Sequence, residues 1–288
     1  MKSSSTLSIL LVSDIHEDLN SLDELVNFCK KSSYVPDYIF NLGDIITIPD
    51  GQQDDPEIGA EKENLITQIL SKLEKISENV LYIPGNHDPK SLYSQEPPQL
   101  TEKSKNLHMK NVKIGDNLLV LGLGGSISNV ATDEKDYHKY KIADYNNIVW
   151  KGYPYINDKD KPDFFKCEEL LNTDLEAAFN SLPQDNSQVI LISHSGPFSS
   201  PSSTSIENNT VIYSGSISID KLVLNNNNKI MSVCHGHTHR GKGYMKLGLS
   251  DIINPGALKF GDFGKMELNY DNINKEWRIT KIERLSLK

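Results

Sequence analysis

Five short apolar runs in this chain each stop on a cluster of Asp, Asn, Gly or His. Leu7 to Val12 runs into Ser13-Asp14-Ile15-His16, Tyr38 to Leu42 into Gly43-Asp44, and Val80 to Ile83 into Pro84-Gly85-Asn86-His87-Asp88. Further on, Val189 to Ser193 meets His194, and Ile230 to Val233 leads to Gly236-His237-Thr238-His239. Runs this short, aliphatic and rich in β-branched residues read as buried strands. Between the first three lie stretches of helical spacing: Leu22, Leu25, Val26 and Phe28, then Leu65, Ile66, Ile69, Leu70, Leu73 and Ile76. Apolar residues three and four apart share one helix face. Strands alternating with helices, with polar residues at each strand's carboxyl edge, predict an α/β fold whose chemistry gathers at one end of a sheet.

The second half adds predicted strands at 118–123, 189–193, 230–233, 251–254, 265–270 and 277–282. Their close spacing favours a mixed or antiparallel second sheet over a continued doubly wound one. No repeat of solenoid length and no Pro/Gly-rich linker divides the 288 residues, so one domain over 1–288 is expected, with an insertion at 126–166. The insertion carries Tyr137, Tyr140, Tyr145, Trp150, Tyr153, Tyr155, Phe164 and Phe165 among charges. It reads as a substrate-facing lid or, more simply, as an elaboration packing its aromatics on the domain. Residues 199–216, rich in Ser, Thr and Asn, read as an exposed loop, and Asn225 to Asn228 as a polar turn.

Charge narrows the partners. With 39 acidic against 30 basic residues the formal net charge is -9, which repels long nucleic acids and acidic membrane surfaces. Arginine occurs only at 240, 278 and 284, so phosphate chemistry in the preceding four-fifths of the chain has no guanidinium clamp. Cys29, Cys167 and Cys234 match no zinc-ribbon or CxxC spacing and suit a reducing compartment. Ile9 to Val12 is too brief for a signal-peptide core, and no run approaches 18 apolar residues. A soluble, cytoplasmic chain is expected.

The strand-end clusters carry the chemistry. Imidazole and carboxylate gathered at one sheet edge suit a borderline divalent metal such as Mn, Fe or Zn; calcium or a lone magnesium does not choose so much imidazole. In extended backbone alternate residues face the same way, so Asp14 with His16, and His237 with His239, are expected to act as two-tooth chelators. Seven candidate ligands (Asp14, His16, Asp44, Asn86, His194, His237 and His239) exceed one tetrahedral ion and suit two ions sharing a bridging carboxylate. Glycines 43, 85 and 236 permit tight turns there. A lone D-x-H arises by chance, and His194 alone reads as a satisfied core histidine. All five blocks in order, each after a strand, are not explained that way.

The series D-x-H (Asp14, His16), G-D (Gly43, Asp44), G-N-H-D (Gly85 to Asp88), H (His194) and G-H-x-H (Gly236, His237, His239) resembles the calcineurin-like metallophosphoesterase superfamily. The likeness spans residues 7–256 and extends to Asn254-Pro255-Gly256, similar to a segment closing many small bacterial and archaeal members. His194-Ser195-Gly196-Pro197 and Gly215-Ser216 resemble H-x-P-P and G-S segments, with Gly196 where a first proline is usual. The resemblance implies a four-layer α-β-β-α sandwich of two mixed sheets, with a dimetal site at the strand ends. It also implies that Asp14, His16 and His239 serve one ion, Asn86, His194 and His237 the other, and Asp44 both.

Two cations answer the difficulty of phosphoester hydrolysis. They screen the phosphoryl oxygens and lower the pKa of a bridging water, so that hydroxide exists near neutrality. His87, beside ligand Asn86, is the candidate general acid, with Asp88 a candidate to orient it. Asn86, His87 and Arg240 are candidate substrate contacts; Lys259 has no special claim. Protein Ser/Thr phosphatases of the superfamily carry G-D-x-V-D-R-G, but here Gly43-Asp44-Ile45-Ile46-Thr47-Ile48-Pro49 lacks the second Asp and the Arg. A small phosphodiester or phosphomonoester is therefore the expected substrate, and small members resembling this chain include cyclic-nucleotide phosphodiesterases. The alternatives are an assembly component meeting a protein partner through 126–166 or 199–216, and a protein phosphatase, which the arginine shortage disfavours.

Overall fold

The computed structural model describes residues 6–49, 52, 55–133, 148–150, 164–207 and 210–287. The first half comprises β1 (Thr6–Val12), α1 (Leu19–Lys31), β2 (Tyr38–Asn41), α2 (Pro56–Leu73), β3 (Val80–Tyr82), β4 (Lys105–Asn106), β5 (Asn111–Gly115) and β6 (Leu118–Leu123). Then come β7 (Asn129–Asp133), β8 (Ile148–Trp150), α3 (Phe164–Asn180), β9 (Gln188–Ser193), β10 (Thr204–Glu207), β11 (Thr210–Tyr213) and α4 (Ile217–Asn225). Last are β12 (Ile230–His235), β13 (Gly243–Leu247), β14 (Ser250–Asn254), β15 (Asp262–Asp271) and β16 (Glu276–Ser286).

Side-chain alternation along β1 explains the layering. Leu7, Ile9 and Leu11 face the second sheet, meeting Val120, Ile190, Ile192 and Cys234 in a core without a polar partner requirement. Leu10 and Val12 face outward, under Leu22 and Leu25 of α1 and Ile66, Ile69 and Leu70 of α2. The second sheet repeats the scheme: Leu119, Leu121, Val189, Leu191 and Val233 lie under α3 and α4. The result is the expected four-layer α-β-β-α sandwich. One six-stranded sheet runs β16-β15-β1-β2-β3-β4 and the other β13-β14-β12-β9-β6-β5. In each, four parallel strands are flanked by antiparallel ones.

Helix α2 starts earlier than its apolar spacing predicted. Asp55 caps it by accepting from the Glu57 and Ile58 amides, and Pro56 occupies the first turn, so the polar stretch before Leu65 is already helical. All three cysteines are buried free thiols. No helix among the described residues is long and apolar enough to cross a membrane.

A third sheet, ordered β10-β11-β7-β8, corrects one expectation. Residues 199–216 are not an exposed loop: they form a short 3-10 turn and the β10–β11 hairpin, with Ser203, Val211, Tyr213 and Ser216 buried. Composition misled because most of these hydroxyls find partners inside: Ser200 Oγ meets Ser202 Oγ at 2.7 Å, Ser202 Oγ meets His235 Nε2 at 2.8 Å, and Ser216 Oγ donates to Glu168 at 2.9 Å. The segment 126–166 contributes β7, which pairs antiparallel with β11 from Val130–Tyr213 to Asp133–Thr210. Most of its aromatics, Tyr137, Tyr140, Tyr145, Tyr153 and Tyr155, lie outside the described residues.

The two large sheets join where β4 approaches β6. There the buried His108 accepts from the Gly124 amide through Nδ1 at 3.0 Å and packs edge-on against Tyr93 at 5.0 Å. Burial, with Lys110 adding to it, pushes this imidazole down to about 4. The unfolded chain therefore takes a proton near the ordinary histidine pKa of about 6.5 before the folded one does, and stability falls as pH drops through that window. His108→Asn keeps an acceptor for Gly124. Urea unfolding at pH 7 and pH 5 is expected to show a smaller acid loss in this variant, by up to ~2 kcal/mol.

Candidate metal centre

Each sequence-nominated ligand lies just past the carboxyl end of a parallel strand: Asp14 after β1, Asp44 after β2, Asn86 after β3, His194 after β9, His237 and His239 after β12. The loops that bear them are laced by main-chain bonds. The Asp14 amide donates to Gly43 O (3.0 Å), His16 to Asp44 O (3.1 Å), and Gly236 to His194 O (3.1 Å). This lacing holds Asp14, His16, Asp44 and His237 at left-handed φ values of 51°, 46°, 51° and 63°. Such backbone costs on the order of 1–3 kcal/mol per residue and persists only where its surroundings enforce it. Gly43, at φ 97°, has no room for a side chain, since a Cβ would lie 2.6 Å from His194 Nδ1.

The extended-chain argument for D-x-H and H-x-H fails in its detail. Asp14 and His16 converge, with Oδ1 4.0 Å from Nε2, through left-handed turns and not through strand alternation. His237 and His239 divide between two groups: Asp14, His16, Asp44 and His239 form one, Asp44, His194 and His237 the other. Asp44 belongs to both. Its Oδ2 lies 3.5 Å from His16 Nε2 and 3.3 Å from His194 Nε2. His239 Nε2 is 3.2 Å from Asp14 Oδ1 and 3.1 Å from His16 Nε2. Asn86 joins the second group through its Oδ1, 3.1 Å from His194 Nε2.

Hydrogen bonding shows what this arrangement accepts. Asp14 Oδ2 takes bonds from Ser13 Oγ (2.6 Å) and the His237 amide (3.2 Å), and Asp44 Oδ1 takes one from the His87 amide (2.9 Å). The other oxygens, Asp14 Oδ1 and Asp44 Oδ2, are buried without a hydrogen bond among the described residues. His194 donates from Nδ1 to Leu42 O at 2.7 Å and turns Nε2 toward two oxygens, Asn86 Oδ1 and Asp44 Oδ2. An arrangement of that kind demands a positive centre. Burial opposes a charge on His194, yet attraction from Asp44 outweighs it and raises the imidazole to about 9. The carboxyls of Asp14 and Asp44 are held well below the usual range, as their histidine neighbours, His239 and His194 foremost, overcome the burial that would raise them. His16, by contrast, is pushed down to about 4 by burial, against Asp44 and Asp14. An ion that displaced the proton of His194 would meet imidazole nitrogens, ionised carboxylates and an amide oxygen, the donor set of a divalent ion, and the residues fit a pair sharing Asp44.

A cavity of about 280 Å³ opens over this centre, lined in part by Asp44, Asn86, His87, His237 and His239. Its far wall is the third sheet, through Asn129, Ser205 and Ile212. Asn129, which opens β7 and lies farther from the end of β6 than any ligand lies from its own strand, was missed in the sequence. Its Oδ1 accepts from His237 Nε2 at 2.7 Å, which fixes the tautomer with the Nδ1 lone pair available. Thr47 plays a comparable part, with its hydroxyl 2.9 Å from His16 Nδ1.

Two expectations about neighbours need correction. Asp88 does not orient His87: its carboxylate accepts from the Ile45, Ile46 and Gly85 amides at 2.7 to 3.2 Å and ties the G-D and G-N-H-D loops together. Adjacent residues in a tight turn point apart, so the carboxylate went to the nearest unpaired amides. Arg240 lies 5.7 Å from the Phe260 ring and lines a separate groove with Lys242 and Tyr244; Lys259, which had no claim, lines the cavity instead. Gly196, standing where a proline is usual, packs against the His235 ring, with a Cβ there 2.5 Å from Nδ1.

The family model for calcineurin-like phosphoesterases matches residues 7–241. The chain belongs to that family. A relative at 23% identity over 195 residues is the uncharacterized protein MJ1162 of Methanocaldococcus jannaschii, with 67% of this chain and 72% of the relative covered. The fold is similar to that of TT1561 of Thermus thermophilus (TM-score 0.58, 17% identity, 98% of this chain and 100% of that one covered). It is also similar to that of a dimetal phosphatase from Danio rerio (TM-score 0.53, 11% identity, 98% and 99% covered). Within this family's ligand pattern, Asn129 offers a direct test. Asn129→Leu removes the acceptor on His237 and is expected to weaken binding of one of two Mn²⁺ ions about 10–100-fold in calorimetric titration. Asn129→Asp, which retains an acceptor, is expected to bind both.

Proposed function

We propose that this calcineurin-like phosphoesterase hydrolyses a small soluble phosphoester, using two divalent ions of the Mn, Fe or Zn kind. Asp14, His16 and His239 hold one ion, Asn86, His194 and His237 hold the other, and Asp44 bridges them. The observation that carries this reading is Asp44 Oδ2, an unbonded buried carboxylate oxygen with imidazole nitrogens of both groups within 3.5 Å. When bound, such a pair screens phosphoryl oxygens and acidifies water for in-line attack.

The chain's own groups supply the rest. His87 lines the cavity beside Asn86, and its ring packs edge-on against His16 with centroids 5.3 Å apart. Its amide is tied to Asp44, so the side chain's position follows from the loop that also sets the bridge. We assign His87 to protonate the leaving oxygen. Packing rather than a carboxylate orients it, since Nδ1 has no hydrogen-bond partner among the described residues. A cavity of about 280 Å³ suits a phosphate with a compact leaving group. No arginine lines that cavity among the described residues, which argues against a phosphoprotein substrate.

The Mn²⁺-loaded protein is expected to hydrolyse bis-p-nitrophenyl phosphate, and Asp44→Asn to abolish the activity; an Asp44→Asn protein as active as wild type sinks the assignment. His87→Ala is expected to lose about 10²–10⁴-fold on an alkyl phosphate, whose leaving oxygen needs a proton. Its loss on a p-nitrophenyl ester is expected to be smaller, because that leaving group departs as a stable anion.

A further inference from the structure

The cavity over the metal centre contains one lysine or arginine among its described lining residues, and it is Lys259. This residue sits on the 3-10 turn Leu258–Phe260, which follows Asn254-Pro255-Gly256. The turn is fastened to the ligand-bearing backbone: Leu258 N donates to Ser13 O at 2.8 Å, and Lys259 N to Asp14 O at 3.3 Å. Its approach is fixed as well. Asn254 Nδ2 donates to Thr238 O and Ser202 O, both at 3.1 Å, and Asn254 Oδ1 accepts from the Gly256 amide at 2.8 Å. The lysine backbone therefore cannot move independently of Asp14 and the His237–His239 loop.

The side chain is placed with similar economy. Its ammonium lies 5.5 Å from the Phe260 ring, and that ring also meets His239, with centroids 6.2 Å apart. A cation over an aromatic face gains ~0.5–1 kcal/mol at an exposed site and keeps its charge. Phe260 thus supports the lysine beside His239.

We propose that Lys259 is a substrate-binding residue that holds the phosphate at the rim of the metal centre and favours dianionic phosphomonoesters over monoanionic phosphodiesters. The proposal rests on the phosphoesterase reading above. A monoester carries close to two negative charges near neutral pH and a diester one. Coulomb attraction to a fixed ammonium scales with that charge, so the lysine stabilises a bound monoester more. In a chain with no arginine before residue 240, Lys259 fills the place a guanidinium clamp would take.

The test uses the full-length, Mn²⁺-loaded protein with p-nitrophenyl phosphate, bis-p-nitrophenyl phosphate and inorganic phosphate. Lys259→Met keeps the aliphatic stem, and Lys259→Arg keeps the charge; thermal melts establish that both fold. Lys259→Met is expected to lose about 10–100-fold in kcat/KM on the monoester, mostly through KM, and less on the diester. Lys259→Arg is expected to stay within a few-fold of wild type. The Kd for inorganic phosphate is expected to rise in parallel in Lys259→Met, a readout independent of turnover. Unchanged phosphate affinity and unchanged ester preference in Lys259→Met overturn the proposal while leaving the phosphoesterase reading intact. A wild-type protein that binds phosphate through Lys259 yet cleaves neither ester overturns that reading and leaves Lys259 as a phosphate ligand.

Discussion

A carboxylate buried from water must find donors or a cation, and this fold buries two of them side by side. Asp14 and Asp44 are 0% and 1% exposed, and each has one oxygen satisfied by donors that the surrounding loops hold in place. The remaining oxygens turn toward imidazole nitrogens instead of amides. Most of what is particular about the neighbouring loops follows from holding these groups still: the left-handed backbone, the main-chain lacing, and the bonds from Asp88 across two loops. Such an assembly is costly to keep without a positive centre between its parts, and a divalent ion supplies one.

The sandwich makes the arrangement possible because two sheets end their parallel strands at the same edge. The interior between them is aliphatic, from Ile9 and Leu11 through Ile190 and Ile192, and needs no polar compensation. Polar groups accumulate where the strands stop. The third sheet then converts an open edge into a cavity, and through Asn129 the same sheet fixes the tautomer of His237. Wall and candidate ligand are thereby coupled. The excess of nine negative charges describes the surface of the protein, whereas the centre itself attracts cations and, once these are bound, anions.

Much of this could be read in advance. The strand-end rule located Asp14, His16, Asp44, His194, His237 and His239, which the structure brings into two groups, and periodicity located nine of the sixteen strands among the described residues and the first two helices. The rule does not reach Asn129, which opens β7 beyond the run of glycines and serines that follows β6. Other features were not legible. Residues 199–216 are polar in composition yet largely buried, because their hydroxyls find partners that no linear pattern shows. Asp88 and Arg240 are each one residue from a functional histidine, and both turn away from it, toward backbone amides and toward Phe260. Adjacency along a loop says little about direction, since one dihedral reverses it.

By itself, then, the sequence determined which residue types meet at the sheet edge and the family to which the pattern belongs. These follow from local rules, in which apolar runs make strands and strand ends expose their flanking polar groups. The resemblance already implied how the ligands divide and that Asp44 joins them; only the tertiary structure decided through which backbone turns they converge, and that Lys259 rather than Arg240 lines the cavity. Those outcomes depend on left-handed turns and on contacts between segments more than 200 residues apart, such as His16 with His239. Side-chain direction at such places is set by which partners the whole fold brings within hydrogen-bond reach.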